Sequence, residues 1–473
     1  MKTSYDVIII GAGAVAENVA DRVVQGGLTA VLVESELVGG ECSYWACMPS
    51  KALIRSGLAL NAAKRLQGTS QAVTGELDVA AVFARRNSFT HDWNDSSQVD
   101  WVSGAGIDLV RGHGRLDGVK RVVVTDKAGA ETTLTAEYAV VVCTGSDPLL
   151  PDIPGLLEAS PWTPRDATSA QEAPTSLAII GGGVVAVELA TAYASFGTKV
   201  TILARSEILR GQEPFAGERV SAALREAGVV IKTGVEPTRV ETTDSGVDIH
   251  LENEIVSAEK VLVATGRSPR TTDIGLDTVD LPVGEWITVD ETLRVPGSDW
   301  LYAAGDVNHR ALLTHQGKYQ ARAAGDVIVA RATGKDVDSG EWGIHAATAD
   351  HRAVPQVTFS DPEVASVGLT AHAAEEAGLT IRVIDYDLGA VAGASLQADG
   401  YSGAARMIVD EDRGVIVGVT FVGQDVSELI QAATIAIVGE VPLTRLWHAV
   451  PAYPTMNEIW LRLLETYGRP TLA

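Results

Sequence analysis

Two stretches of this chain follow one plan. YDVIIIGAGAVAENVADRVVQGGLTAVLVES at 5–35 and SLAIIGGGVVAVELATAYASFGTKVTILARS at 176–206 each run from an apolar strand through a glycine-rich turn into a helix, then into a second apolar strand. Glu34 follows Gly11 by the same 23 positions that separate Ala204 from Gly181. Gly11 and Gly181 allow the tight strand-to-helix turn. Gly13 and Gly183 let a diphosphate approach the backbone at the helix N-terminus, and Ala16 and Ala186 keep the third position small for helix–strand packing. One such motif is a weak sign. Two copies on a shared ruler predict two dinucleotide-binding units.

The ends of the two rulers differ. Glu34 suits a ribose 2′-hydroxyl, whereas Ala204 followed by Arg205 and Arg210 suits a 2′-phosphate, so the second unit is expected to prefer NADPH and to take NADH more weakly. A second echo follows each unit, VVVCTGSDP at 140–148 and VLVATGRSP at 261–269. Each is an apolar strand delivering a Thr-Gly turn that can lie against a bound dinucleotide. Thr144, Gly145 and Gly266 are therefore candidate contacts, and Cys143, opposite Ala264 in the echo, reads as a small buried hydrophobe.

The charge balance is acidic, a formal −24 with a pI near 4.7, which argues against nucleic acid or an anionic membrane surface as partner. The N-terminal apolar run is short and broken by Asp6 and glycines, so no signal peptide is expected, and no stretch approaches the roughly 18 apolar residues of a membrane span. Three cysteines make no disulfide framework, and a reducing cytoplasm is the expected setting. The histidines show no metal-ligand spacing, so no metal is expected.

Two of those cysteines sit in GGECSYWACMPSK at 39–51. A metal clip needs two further ligands and only Cys143 remains; two core thiols or a redox disulfide are the other readings. On an ideal helix, positions i and i+5 lie about 8.7 Å apart. That exceeds the roughly 7 Å limit for bridging, so a disulfide here needs a distorted turn and is easily reduced.

With these motifs, the second glycine motif's Glu188 and LYAAGDV at 301–307, the chain resembles the flavoprotein disulfide reductases over essentially its whole length. Within that family it resembles the mercuric reductase and dihydrolipoamide dehydrogenase branches. The resemblance implies an α/β fold: two Rossmann-like dinucleotide-binding domains in the glutathione reductase-like arrangement, plus an α+β C-terminal dimerisation domain. The expected parts are an FAD domain (1–150 and 271–345), an inserted NAD(P)H domain (151–270) and an interface domain (346–473) that makes a homodimer.

The same resemblance makes Cys47 the thiol against the flavin and Cys42 the interchange thiol. It makes Lys51 and Glu188 an ion pair and Asp306 a ligand of the FAD ribityl chain. Val184 stands at the nicotinamide pocket. Gly40, Glu41, Gly114 and His315 complete the expected cofactor contacts. Glu41 replaces the usual threonine, and Tyr44 and Trp45, which replace smaller residues between the cysteines, are expected to narrow the substrate pocket.

The largest departure lies in LWHAVPAYPTMNEIW at 446–460. The frame of Pro454, Thr455 and Glu458 puts Tyr453 where the family carries a catalytic histidine, and His448 is out of register. A phenol near pKa 10 is a poor base at neutral pH. Mercuric reductases share that tyrosine but resemble this chain less at the end, where YGRPTLA carries no cysteine pair.

The function expected is transfer of electrons from NADPH through FAD and a redox-active Cys42–Cys47 disulfide to a small acceptor. The rivals are a diaphorase that reduces quinones or metal ions without the cysteines, a dihydrolipoyl dehydrogenase, and a redox-sensing NADPH-binding protein.

Overall fold

The apolar runs that open the two repeats become buried parallel strands, as β-branched stretches flanked by glycine turns should. The computed structural model describes residues 2–469. Met1 and the last four residues, where the sequence has no cysteine pair, lie outside the described residues, so the expected 1–150 and 346–473 segments are described only as far as those limits.

Two compact units emerge. One comprises Met1–Pro49, Arg86–Leu149 and Gly266–His351; the other comprises Ser50–Arg85, Leu150–Thr265 and Arg352–Ala473. In the first, β1 (Ser4–Ile10) lies parallel between β2 (Ala30–Glu34) and the long strand Glu131–Val142. Leu301–Ala303 adds in parallel to Glu131–Val142, with Val140 opposite Leu301. Helix α1 (Ala14–Gln25) covers one face, sharing a core of Val7, Ile9, Val19 and Val23 with Val327 and Ile328 of the helix Thr314–Ala332. A two-stranded ribbon pairs Ser146–Pro148 with Arg267–Pro269, joining the two Thr-Gly echoes.

The second unit repeats the plan. A four-stranded parallel sheet runs Val230–Thr233, Lys199–Ala204, Ser176–Ile180, Lys260–Val263. A five-stranded antiparallel sheet, centred on Val415–Gly423, follows toward the C-terminus.

Packing draws the segments of this second unit together. Leu53, Ile54, Val82 and Phe83, from the helices Cys47–Lys64 and Val79–Phe89, pack with Ala192 of the second repeat's helix. Val364 and Val422 of the antiparallel sheet enter the core of the second nucleotide-type sheet. Among the described residues no helix is long and apolar enough to cross a membrane.

Candidate active site

Gly11 ends β1 with φ +108°, and a Cβ there would stand 2.5 Å from the Cys143 carbonyl oxygen, so only glycine makes this turn. The Gly11 N–H donates to Val33 O at 2.8 Å, turning the chain over the end of β2. Gly39 N–H donates to Ala12 O at 2.8 Å, and a Cβ on Gly40 (φ +62°) would meet Gly13 Cα at 2.7 Å. The two glycine motifs therefore touch backbone to backbone. That contact is why the segment carrying the cysteines begins with Gly-Gly.

A cavity of about 470 Å³ opens over this junction. Of the expected residues, Gly11, Gly13, Glu34, Gly40 and Glu41 line one part of it, and Cys42, Gly114, Thr144, Gly145 and Asp306 another. Glu34 accepts from Ala12 N–H and Glu36 N–H, each at 2.7 Å, and burial pushes its carboxyl upward. Asp306 accepts from Ser146 Oγ at 2.6 Å and opens a short 3₁₀ turn whose N-cap is Gly305, so it serves the cavity and is not the cap. Bare glycine backbone, a carboxylate at the ribose end of the ruler and a second one at a strand end fit a dinucleotide with a polyol chain.

Two expectations need correction. His315 is exposed and its neighbour Thr314 lines the cavity, because on a helix consecutive side chains diverge by 100°. Gly266, expected at the Thr-Gly turn of the second echo, has its carbonyl accepting from Leu149 N–H at 2.9 Å and carries the ribbon. Tyr44 is 1 % exposed, with its carbonyl bonded to Trp93 Nε1, so it packs inward and does not narrow a substrate pocket. Ala16, as its packing role requires, is fully buried.

The distorted turn between the cysteines is present. Helix α2 (Gly40–Tyr44) stops at Trp45 (φ −135°, ψ −7°) and α3 (Cys47–Lys64) starts afresh. Trp45 N–H and Ala46 N–H both donate to Glu41 O at 2.8 Å. Across this break the two side chains hydrogen-bond as thiols. That bond, then burial, push the Cys42 thiol up, while Thr314 and Lys318 pull the other way. Cys47 Sγ lies 3.3 Å from Thr314 Oγ1. Cys143 is buried, which raises its thiol to about 12.

In the second unit, Gly181 (φ +128°) repeats the first turn, with a Cβ falling on the Ala264 carbonyl. Lys51 Nζ pairs with Glu188 Oε2 at 2.7 Å, and Glu188 Oε1 accepts from Phe359 N–H at 3.0 Å. Val184 starts the helix Val184–Ser195 half-buried, and Gly183 has nothing within 4 Å of a Cβ. Arg205 and Arg210 are exposed, Arg205 across 3.7 Å from Glu236. Near the C-terminus Tyr453 is 75 % exposed and His448 is exposed. Glu458 is buried and bonded to Arg462 of its own helix, while its Oε2 has no partner among the described residues.

Sequence reasoning missed Thr314, Lys318, Ser146, Arg267 and Arg270. A helical reading of THQGKYQ would have put Thr314 and Lys318 on one face. Ser146 and Arg267 stood inside the two echoes, and nothing in the echoes alone said that they pair.

Two βαβ cradles, with Cys42 of the cysteine pair at the wall of the first, define a nucleotide-dependent oxidoreductase of the flavoprotein disulfide reductase class. The family model for pyridine nucleotide-disulphide oxidoreductases matches residues 5–326, and its dimerisation domain matches 354–463; the chain belongs to this family. The family is FAD-dependent and works with a pyridine nucleotide. The chain is 30 % identical to a mercuric reductase of Staphylococcus aureus over 96 % of its length and 81 % of the relative's. It is 30 % identical to dihydrolipoyl dehydrogenase 2 of Haloarcula marismortui, covering 96 % and 95 %. Its fold is similar to the HOCl-induced flavoprotein disulfide reductase RclA of Escherichia coli in a Cu(II) complex (TM-score 0.84, 23 % identity, 98 % and 99 % covered). LpdA of Mycobacterium tuberculosis is similar too (TM-score 0.82, 22 % identity, 98 % and 99 % covered).

Proposed function

We propose that this chain is an NADPH-dependent reductase of a small acceptor, working through FAD and a Cys42–Cys47 dithiol–disulfide couple. The observation that carries the reading is Cys42 in the wall of the first cradle, hydrogen-bonded to Cys47 across a broken helix. FAD belongs in that cradle, with Glu34 and Asp306 as its acceptors, and NADPH belongs on the second glycine motif with Arg205 and Arg210. When bound, FAD supplies a two-electron relay between the hydride of NADPH and the disulfide.

The chain's own residues handle the thiols. Opening the disulfide takes two electrons and two protons; closing it again returns both to the acceptor. Thr314 can donate to a Cys47 thiolate, and Lys318 favours the anionic form of Cys42. On this reading position 453 belongs against the partner subunit's cysteines, and the phenol there supplies a hydrogen-bond donor where a base is usual. A homodimer suits the dimerisation domain, whose surface exposes Val450, Tyr453 and Ile435.

Likeness to mercuric reductases brings a second reading, direct reduction of a metal ion or quinone, and the exposed Tyr453 in place of a histidine favours it. Anaerobic reduction with excess NADPH tests the first. It should expose two additional titratable thiols; an unchanged count sinks the couple. Cys42→Ser should abolish disulfide reduction and leave direct quinone reduction intact. Tyr453→His should raise kcat/KM for lipoamide about tenfold, the low end for a gained acid–base. A wild type already efficient on lipoamide would refute the missing-base account.

A further inference from the structure

The first cradle has the wrong charge for its proposed occupant. Among its described lining residues are six carboxyl groups, on Glu34, Glu36, Glu41, Asp147, Asp273 and Asp306, and the only arginines or lysines are Arg267 and Arg270. A dinucleotide diphosphate is itself a dianion. Two guanidinium groups must therefore settle whether it can enter.

Arg267 is hydrogen-bonded into the ribbon, its Nε donating to Ser146 Oγ and its Nη2 to Ser146 O at 2.6 Å, and lies farther from two acids, 3.7 Å from Asp306 and 3.9 Å from Glu41. Arg270 spans the cavity. Its backbone is pinned to the Thr-Gly turn, with N–H donating to Gly145 O at 3.1 Å and C=O accepting from Thr144 Oγ1 at 2.8 Å. Its guanidinium holds Asp147 on that wall at 2.6 Å and reaches Glu36 at 3.5 Å and Glu41 at 3.6 Å on the opposite wall, the segment after β2. Glu41 is the residue that replaces the family's threonine, so the extra acid and the arginine facing it meet across the cradle.

We propose that Arg270 is the residue that lets this acid-lined cradle hold a dinucleotide diphosphate, acting as an ionic clasp that offsets Glu36, Glu41 and Asp147. The clasp rests on the flavin reading of the cradle. Each pair alone is half-exposed and worth little in stability. Its weight falls on an anionic ligand, which without Arg270 would face Glu36, Glu41 and Asp147 lacking the one guanidinium that reaches all three, in a partly desolvated site.

The test dilutes the purified holoprotein to nanomolar concentration and follows the fluorescence of released FAD. Arg270→Gln should release FAD about tenfold faster, and adding Glu41→Gln to that variant should bring the rate back to within about threefold of wild type. Glu41→Gln alone, a milder change, should release FAD more slowly than wild type. Release from R270Q at the wild-type rate overturns the clasp, as does a faster release that E41Q fails to correct or a faster release from E41Q alone. A colourless wild type overturns the flavin reading and the clasp together, whereas a yellow one with unaltered variants overturns the clasp alone.

Discussion

The two βαβ repeats are twins in backbone and opposites in lining. At both, the glycine N–H donates to the neighbouring strand (Gly11 to Val33 O at 2.8 Å, Gly181 to Leu203 O at 2.9 Å), and the strand of the Thr-Gly echo closes alongside (Cys143 N–H to Ile10 O and Ala264 N–H to Ile180 O, both 2.8 Å). The side chains then part. Glu34 answers to Ala204 and Glu17 to Val187, so the first repeat carries two carboxyl groups where its twin is apolar. Backbone geometry is what a diphosphate needs and is kept twice; side chains set which nucleotide each cradle accepts.

The largest effect should come from breaking one turn at a time. Gly11→Ala and Gly181→Ala each place a Cβ against a carbonyl oxygen at positive φ, a local penalty of roughly 3 kcal/mol or more. Gly11→Ala should purify colourless. Gly181→Ala should stay yellow, since its own cradle is the one proposed for NADPH, and lose reduction by NADPH. Identical phenotypes would break the assignment of one nucleotide to each repeat.

A smaller effect should follow from exchanging the ruler ends. Replacing both Arg205 and Arg210 with alanine should raise KM for NADPH about tenfold and leave KM for NADH within about twofold, because only NADPH carries the extra phosphate. Ala204→Glu should move the preference toward NADH. Steady-state kinetics with both coenzymes decides it; equal changes for the two would remove these arginines from the site.

The smallest expected effect is on stability. Burial raises the Glu17 carboxyl to about 7, with Lys318 opposing, and Glu17 Oε1 has no partner among the described residues. A folded pKa above the unfolded value means that stability is full below about pH 4.5 and falls as pH rises through 7, by at most about 3 kcal/mol. Glu17→Gln should therefore raise Tm by a few degrees at pH 8 and hardly at all at pH 4.5. Thermal scans at the two pH values measure this. An equal gain at both would mean that the carboxyl is not strained, and that the contrast with Val187 is only one of shape.

What could be read in the chain beforehand followed from short-range rules. The strand–turn–helix pattern around Gly11 and Gly181 is local, as is the inability of one helix to carry Cys42 and Cys47 within bridging distance. Both needed nothing beyond covalent geometry and period. The sites of His315 and Tyr44 were misjudged because sequence nearness to a motif does not say which side of a helix faces the cavity. The grouping into two compact units was not legible for a related reason: Leu53, Ile54, Val82 and Phe83 are apolar in any reading, and only their packing with Ala192 shows which core they join.

By itself, then, the sequence determined the two nucleotide cradles, the family and the paired thiols, since each rests on residues fixed by a turn or a spacing. The tertiary structure alone decided that Thr314 meets Cys47 and that Arg270 reaches over to Glu41, while the meeting of Lys51 with Glu188 was expected from the family resemblance and not from any local pattern. Those pairs are separated by 137 to 267 positions in the chain or join different walls of one cavity. Charge and hydrogen bonding act through space, and no local pattern records which distant partner the fold brings within reach.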